Sequence, residues 1–184
     1  MAERIAVHGP SGSGKTTLAV TLAERLGLPP TELDAHFHQP GWTRLDTGSF
    51  RERVARVVAG DRWVVDGNYH QVRDLVWARA DLVVLFDLPR RTVMRRLVGR
   101  TVTRAAVGRE LWNGNRESFR NLLSTDPERN VVLWSWRTLD HYHHAFAAEV
   151  AEGAPQAELV VLSDRDAVGR LVDRLVGERS TGDR

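Results

Sequence analysis

The feature that most constrains this chain is a glycine-rich segment near its N-terminus, where residues 5–17 read I-A-V-H-G-P-S-G-S-G-K-T-T. The segment contains the pattern G-x-x-x-x-G-K-[ST], with Gly9, Gly14, Lys15 and Thr16 at the fixed positions. An apolar run precedes the pattern, and apolar residues at helical spacing follow it. This context predicts a β-strand, a loop that binds phosphate groups and an α-helix, in that order.

Each residue type in this loop has a chemical reason. Glycines let the backbone curve so that several N–H groups point at one anion, and the N-terminus of the following helix adds further donors. Lys15 is expected to bridge the β- and γ-phosphates of a nucleoside triphosphate, and the Thr16 hydroxyl is expected to ligate Mg²⁺. Lys15 is also the only lysine among 26 lysines and arginines, which indicates a task that needs a compact ammonium group. The predicted nucleotide-binding residues of the loop are Gly9, Pro10, Ser11, Gly12, Ser13, Gly14, Lys15, Thr16 and Thr17.

The rest of the chain alternates between short apolar runs and stretches with helical spacing. This pattern predicts an α/β fold, a three-layer sandwich in which helices cover both faces of a five-stranded parallel sheet. The predicted strands span residues 4–8, 31–34, 62–66, 81–87 and 158–162. The predicted helices span about residues 15–26, 50–59, 71–79, 89–103, 116–124, 132–150 and 166–176. A loop is predicted at residues 104–115, and residues 177–184 are expected to be frayed.

Composition excludes several classes of protein. The absence of cysteine excludes disulfide bonds and thiolate metal sites. The net charge of +2 argues against a general nucleic-acid coat, although residues 90–137 carry 11 arginines against four acidic residues, a local excess of +7. The apolar runs are much shorter than the roughly 20 residues of a membrane span, and the N-terminus does not resemble a signal peptide. With 42% hydrophobic content, residues 1–184 are expected to form one cytoplasmic domain without a membrane partner.

Several further motifs resemble those of adenylate-kinase-like P-loop kinases. F-D-L-P followed by R-R-L-V-G-R, within residues 86–100, is similar to the stretch that leads into the lid of adenylate kinases, and D-G at residues 66–67 resembles the start of their D-G-F-P-R motif. L-D-A-H-F-H-Q-P-G-W, V-D-G-N-Y and G-N-R-E resemble a bacterial subfamily labelled adenylate kinase-related or DNA topology modulation proteins. The resemblance implies the P-loop NTPase fold of nucleoside monophosphate kinases, with a helical, arginine-rich lid at about residues 104–120.

The resemblance also implies roles in binding Mg²⁺ and ATP. Arg96 would stack on adenine and Arg100 would hold the ATP phosphates, since a planar cation suits both tasks. Asp66, which ends the third predicted strand, would orient Mg²⁺ through water. The alternatives are a solvated helix face for the two arginines and a turn-forming role for Asp66.

Three arginines flank the glycines of the predicted lid, namely Arg104, Arg109 and Arg116. At least one of them is expected to approach the γ-phosphate when the lid closes, which would add positive charge and exclude water. The sequence does not select among them. The candidate catalytic residues are therefore Lys15, Asp34, Arg100, Arg104 and Arg109, with Arg116 on the acceptor side.

The phosphoryl acceptor is expected to bind within residues 34–62. Asp34 ends the second predicted strand, where small-molecule kinases of this superfamily often place a carboxylate that contacts the acceptor hydroxyl. That carboxylate would accept the proton of the hydroxyl or only orient it, because phosphoryl transfer depends mostly on positioning and charge neutralisation. His36 and Trp42 are candidate pocket residues. Structural roles are the alternative for these side chains.

The acceptor half departs from adenylate kinases. After Asp-Gly those enzymes have Phe-Pro-Arg, whereas this chain has Asn-Tyr-His at residues 68–70, so the arginine that grips the acceptor phosphate is missing at that spacing. Arg73 is the candidate substitute, one helical turn further on.

The sequence therefore predicts an enzyme, an Mg²⁺- and ATP-dependent kinase whose acceptor is a small molecule or a nucleotide. Adenylate kinase proper is one alternative, which the missing arginine argues against. A non-catalytic nucleotide-binding regulator or nucleic-acid-associated protein is the other. The modest net charge and the lack of a helix-turn-helix or zinc-finger pattern argue against it. The oligomeric state is left open.

Overall fold

The computed structural model describes residues 2–108, 110–116, 124–126 and 130–182. Its strands are β1 (Arg4–His8), β2 (Pro30–Glu32), β3 (Trp63–Asp66), β4 (Leu82–Phe86) and β5 (Glu158–Leu162). Its α-helices are α1 (Lys15–Leu26), α2 (Leu33–Phe37), α3 (Thr47–Val58), α4 (Arg73–Trp77), α5 (Arg90–Val107), α6 (Val131–His144), α7 (Phe146–Gly153) and α8 (Arg165–Gly182). Short 3₁₀ turns occur at Pro40–Trp42, His70–Val72 and Trp112–Gly114.

The five strands form one parallel sheet in the order β2-β3-β1-β4-β5. The central strands β1, β3 and β4 are almost wholly buried because helices cover both of their faces. Alternate residues of β1 enter two separate cores: Ile5 and Val7 pack with α1 and α8, whereas Ala6 packs with α3, α4 and α7. The predicted three-layer α/β fold is confirmed.

The second strand ends earlier than the sequence predicts. Strand β2 stops at Glu32, and Asp34 lies in the first turn of α2, in a region predicted to be the end of a strand followed by a loop. The chain turns there because Leu33 enters the core and packs beneath Gly67, where an added Cβ would lie 2.7 Å from the Cβ of Leu33. Glu32, and not Asp34 as the sequence predicts, is therefore the residue at the end of β2.

Three helix boundaries also differ from the prediction. Helix α5 continues into the predicted loop as far as Val107, and it ends where Gly108 adopts a φ of 58° and donates its N–H to the carbonyl of Arg104. The single helix predicted at 132–150 is two helices, divided at Ala145. Helix α8 runs through the tail predicted to be frayed, and hydroxyls in its last turns bond to backbone carbonyls one turn earlier.

Part of the predicted lid cannot be compared with the structure. Arg109 and residues 117–123, which include most of the helix predicted at 116–124, lie outside the described residues. Among the helices of the described ranges, none is both long and apolar enough to cross a lipid bilayer.

Candidate active site

The loop predicted to bind phosphate, called the phosphate loop below, joins β1 to α1 and is shaped by glycines in the left-handed region. Gly9, Gly12 and Gly14 have φ values of 142°, 88° and 108°. A Cβ on Gly9 would lie 2.7 Å from the Cβ of Phe86, so the loop also needs glycine for close packing. The N-terminus of α1 has no side-chain cap and no acidic residue in its first turn. These features leave backbone N–H groups at the start of α1 to a bound anion.

Lys15 and Thr16 begin α1 on the side of the sheet where the strands end. The ammonium of Lys15 lies 3.5 Å from the carbonyl oxygen of Pro10, across the loop. The Thr16 hydroxyl donates a hydrogen bond of 2.5 Å to Oδ2 of Asp66. The three residues that the sequence assigned to phosphate and metal are therefore neighbours.

Asp66 is a buried carboxylate with an unsatisfied oxygen. Its side chain is 4% exposed, and among the described residues Oδ1 has no hydrogen-bond partner. Burial raises the pKa of Asp66, whereas the ammonium of Lys15 and the hydrogen bond from Thr16 oppose that shift. A buried carboxylate oxygen without a donor is the kind of group that a bound cation satisfies.

Glu32 is a second carboxylate at this edge, and the sequence analysis missed it. Its Cα pairs with that of Asp66 across β2 and β3, and its Oε1 lies 3.4 Å from the Thr16 hydroxyl. Burial raises the pKa of Glu32, and the nearby carboxylates of Asp34 and Asp66 raise it further. A sequence signal for Glu32 was its spacing of two residues from Asp34. To use that signal one must know that β2 ends at Glu32.

These groups suit Mg²⁺ better than a soft metal. The donor set is the hydroxyl of Thr16 and the carboxylates of Asp66 and Glu32, and Mg²⁺ prefers such oxygen ligands. The described residues contain no cluster of three or more histidine, aspartate or glutamate side chains arranged to hold a metal by themselves. A partial shell of this kind fits a cation that is bound together with phosphate oxygens and water.

Arginines of α5 lie along the other side of the phosphate loop. Arg96 donates a hydrogen bond of 3.2 Å to the carbonyl of Ser13. The half-buried Arg100 lies one turn further on, and its charge opposes the rise in the pKa of Asp66. Arg104 follows after another turn and is also half-buried. Arg96 also lines a cavity of ≈ 330 Å³ whose other walls include Ser13, Gly14, Thr17, Thr21, Leu88, Asp164 and Arg165.

Asp34 is held by a residue that the sequence analysis did not single out. The hydroxyl of Tyr69 donates a hydrogen bond of 2.6 Å to Oδ1 of Asp34 and lies 3.4 Å from Nε2 of His38. Burial and the adjacent carboxylate raise the pKa of Tyr69, so the phenol keeps its proton and acts as a donor. Tyr69 therefore fixes the orientation of the Asp34 carboxylate.

The described part of the predicted lid, residues 110–116, is docked on residues 35–42 of the predicted acceptor region. We call these two stretches the lid segment and the acceptor segment. Asn113 donates to the carbonyls of Ala35 (3.1 Å) and His38, and Asn115 donates to the carbonyl of Gln39 at 2.9 Å. In return, Trp42 donates its backbone N–H to Asn115 Oδ1 at 2.8 Å and its indole N–H to the carbonyl of Arg116 at 3.1 Å. The lid segment is thus packed directly on the acceptor segment.

Two further predicted acceptor residues, His36 and Trp42, lie in the acceptor segment. His36 is half-buried, and its burial lowers its pKa, with a smaller effect from Arg53. Trp42 packs edge-on against His38 and faces Trp112 of the lid segment. Arg116 is exposed and pairs with Glu110 at 3.6 Å.

Arg73 is placed differently from the other predicted acceptor residues. Its guanidinium forms a 2.5 Å ion pair with Glu149 of α7, and it lies 5.0 Å from the ring centroid of Trp77 and 4.8 Å from that of Phe146. A role in holding an acceptor phosphate would require this ion pair to be exchanged.

A buried histidine supports the start of the phosphate loop. His8 accepts a hydrogen bond of 3.0 Å at Nε2 from the indole of Trp77, so Nδ1 carries the proton of the neutral ring. Nδ1 lies 3.3 Å from Oδ1 of Asn68, and the same oxygen accepts the backbone N–H of Gly9 at 3.1 Å. The Asn68 amide also donates to the carbonyl of Gly9. This arrangement fixes the peptide at which the chain leaves β1.

Substitution of His8 by glutamine is expected to make the protein less sensitive to acid. Burial lowers the pKa of His8 to about 4, and the unfolded chain protonates this ring near pH 6.5, at about the ordinary value. The unfolded state therefore binds the proton first, and about 3 kcal/mol of stability is lost as the pH falls from 6.5 to 4. Urea unfolding at pH 7 and pH 4.5 measures the loss, which should be smaller in His8→Gln by about 2 kcal/mol. His70→Gln, at an exposed position, is the control. Equal losses in all three proteins would contradict the prediction.

Comparisons with known proteins agree with the fold. No family model matches this chain, and no similar sequence was found among curated proteins. Solved structures that resemble it include the shikimate kinase from Acinetobacter baumannii in complex with shikimate, with 19% identity over 97% of this chain and 93% of that chain and a TM-score of 0.55. The shikimate kinase from Bacteroides thetaiotaomicron has 16% identity over 95% and 97% of the two chains and a TM-score of 0.55. The shikimate kinase from Aquifex aeolicus has 15% identity over 98% and 97% and a TM-score of 0.51. The chain therefore shares the fold of these three structures.

Proposed function

We propose that this protein is a phosphotransferase that moves the γ-phosphoryl group of Mg·ATP to a hydroxyl of a small acceptor without a phosphate of its own. The observation that carries the proposal is the grouping of Glu32, Asp34 and Asp66 beside Lys15 and Thr16 at one edge of the sheet. On one side of this grouping, Glu32 and Asp66 suit a metal-bound polyphosphate. On the other side, Asp34 presents its carboxylate to the acceptor hydroxyl. ATP as the donor fits the expected cytoplasmic location.

The donor side follows from the phosphate loop. The loop N–H groups and Lys15 would hold the β- and γ-phosphates. Arg100 would add positive charge where negative charge develops during transfer. Mg²⁺, held through Thr16, Asp66 and Glu32, would neutralise phosphate charge when bound. Arg96 is suited to stack on adenine in the cavity beside α1.

The acceptor side depends on Asp34. Its Oδ1 is held by Tyr69, which leaves the carboxylate pre-oriented toward a hydroxyl group. As the bond between the γ-phosphorus and its bridging oxygen breaks, the acceptor oxygen bonds to phosphorus and its proton passes to Asp34. The products are a phosphate monoester and ADP. His36 and Trp42 would line the acceptor pocket, while Arg104, Arg109 and Arg116 remain candidates for charge stabilisation from the lid.

The charges near β3 favour an acceptor that lacks a phosphate. Arg73 is neutralised by Glu149, and Arg51 forms a bidentate pair with Asp74 at 2.8 Å through each nitrogen. Both arginines are thus engaged by carboxylates. Neither arginine can hold the phosphate of an acceptor such as AMP unless its ion pair opens.

The proposal is tested by ATP consumption with a panel of acceptors, followed by ³¹P NMR of the product. The panel contains hydroxylated acids including shikimate, since three similar structures are named shikimate kinases. It also contains sugars, polyols, nucleosides and nucleoside monophosphates. We expect turnover with an acceptor that carries no phosphate. Turnover with AMP alone would indicate adenylate kinase proper, and tight Mg·ATP binding without turnover of any acceptor would contradict an enzymatic role. A protein with Lys15→Met controls for contaminating kinases.

A further inference from the structure

The side chain of Glu32 joins two parts of the site that are far apart in sequence. Its Oε1 faces the hydroxyl of Thr16 at 3.4 Å, on the side of the phosphate loop. Its Oε2 accepts a hydrogen bond of 2.7 Å from the indole N–H of Trp112, which belongs to the lid segment. One carboxylate therefore contacts both the proposed metal site and the closed lid.

Trp112 differs from the asparagines that flank it. Asn113 and Asn115 bond to the backbone of the acceptor segment, so they anchor the lid segment without touching the metal site. Trp112 stacks on His38 with a ring separation of 6.0 Å and reaches beyond the acceptor segment to Glu32. Anchoring alone does not require this contact with a carboxylate of the metal site.

We propose that Trp112 is a positioning residue that couples closure of the lid segment to Mg²⁺ binding through Glu32. The indole N–H holds one carboxylate oxygen, so the other oxygen stays directed toward Thr16 and Asp66. Without that bond the glutamate gains rotational freedom that Mg²⁺ binding must remove again. The inference rests on the proposed Mg²⁺-dependent function and names the residue that links the lid to it.

Coupling of this kind is reciprocal. If the docked lid strengthens binding of Mg²⁺ by a given factor, then Mg²⁺ strengthens docking of the lid by the same factor. Hydrogen bonds to charged groups are among the stronger ones in proteins, so we expect a coupling factor of about tenfold. Both sides of the linkage can be measured without turnover.

The test compares the wild-type protein, Trp112→Phe and Asn115→Ala. Phenylalanine keeps the ring against His38 but removes the N–H, whereas Asn115→Ala loosens the lid segment and removes neither partner of the bond between Trp112 and Glu32. Hydrogen exchange of residues 110–116 is followed in the presence of ADP, with and without Mg²⁺, and Mn²⁺ affinity is measured by electron paramagnetic resonance. In the wild type and in Asn115→Ala, Mg²⁺ should slow exchange of the lid segment about tenfold. In Trp112→Phe that slowing should be lost, and the Mn²⁺ affinity should fall about tenfold.

Other outcomes would overturn the inference. If Trp112→Phe exchanges faster but keeps the wild-type Mn²⁺ affinity and the wild-type response to Mg²⁺, then Trp112 is only an anchor of the lid. A second variant, Glu32→Gln, keeps an oxygen for the indole but loses the charge, so it should retain lid docking and lose Mn²⁺ affinity. An unchanged Mn²⁺ affinity in Glu32→Gln would show that Glu32 does not contribute to the metal site, and it would overturn the coupling. Failure to find any acceptor would contradict the proposed function alone, because these measurements need only ADP and the metal.

Discussion

Replacing Lys15 by methionine is expected to lower kcat/KM for Mg·ATP by about 10³-fold. Methionine has a similar length, so it should preserve the start of α1 and the packing of the loop. It removes the ammonium that lies across the loop from Pro10, and with it the charge that would stabilise the β- and γ-phosphates during transfer. Steady-state kinetics with the acceptor found in the panel gives the size of the loss.

Two further substitutions show whether this loss belongs to the ammonium group. Arg25→Met removes a cation from the exposed last turn of the same helix and should leave kcat/KM unchanged. Lys15→Arg keeps the charge but replaces a compact ammonium by a planar fork, and we expect it to recover only a small part of the activity. Full activity in Lys15→Met would show that the ammonium group of Lys15 takes no part in the reaction.

Replacing Asp34 by asparagine is expected to lower kcat by about 10²-fold while the KM for ATP changes little. The asparagine carbonyl can still accept the hydrogen bond from Tyr69, so the side chain should keep its place. It can no longer take the proton of the acceptor hydroxyl. Measurement of kcat and both KM values separates this chemical loss from a loss of binding.

The matching surface variant is Asp61→Asn, at a carboxylate that is 97% exposed and pairs with Arg79 across 3.5 Å. Its kinetics should equal those of the wild type. If Asp34→Asn retained the wild-type kcat, the carboxylate would only help to shape the pocket. The acceptor hydroxyl would then react without a protein base, as dissociative phosphoryl transfer permits.

Much of the fold could be predicted because its determinants are local. The pattern around Lys15 specifies a strand, a loop and a helix, and the uninterrupted apolar run of β4 identifies a strand buried on both faces. Strand β2 has only three residues, each at least partly exposed, so no apolar run marks its end. The sequence therefore could not place Glu32 at the sheet edge, although it carries the same kind of side chain as Asp66.

The lid and the acceptor side were less predictable for a different reason. Asn113 and Asn115 bond mainly to backbone carbonyls of the acceptor segment. Because every residue has a carbonyl, a sequence pattern does not reveal such contacts. Tyr69 was noted only as a departure from the adenylate kinase motif, since its contact with Asp34 depends on how two loops meet at the sheet edge. The residues assigned to the phosphate loop needed no such long-range information.

The backbone of Trp42 has a consequence for how the site would reopen. With a φ of 60°, this bulky residue occupies a conformation that costs about 1–3 kcal/mol, and its N–H groups are held by Asn115 and the carbonyl of Arg116. A lid that lifts away removes those two restraints, so Trp42 can return to an ordinary conformation. Part of the free energy of docking the lid segment is therefore stored as strain in the backbone of Trp42, and undocking releases it.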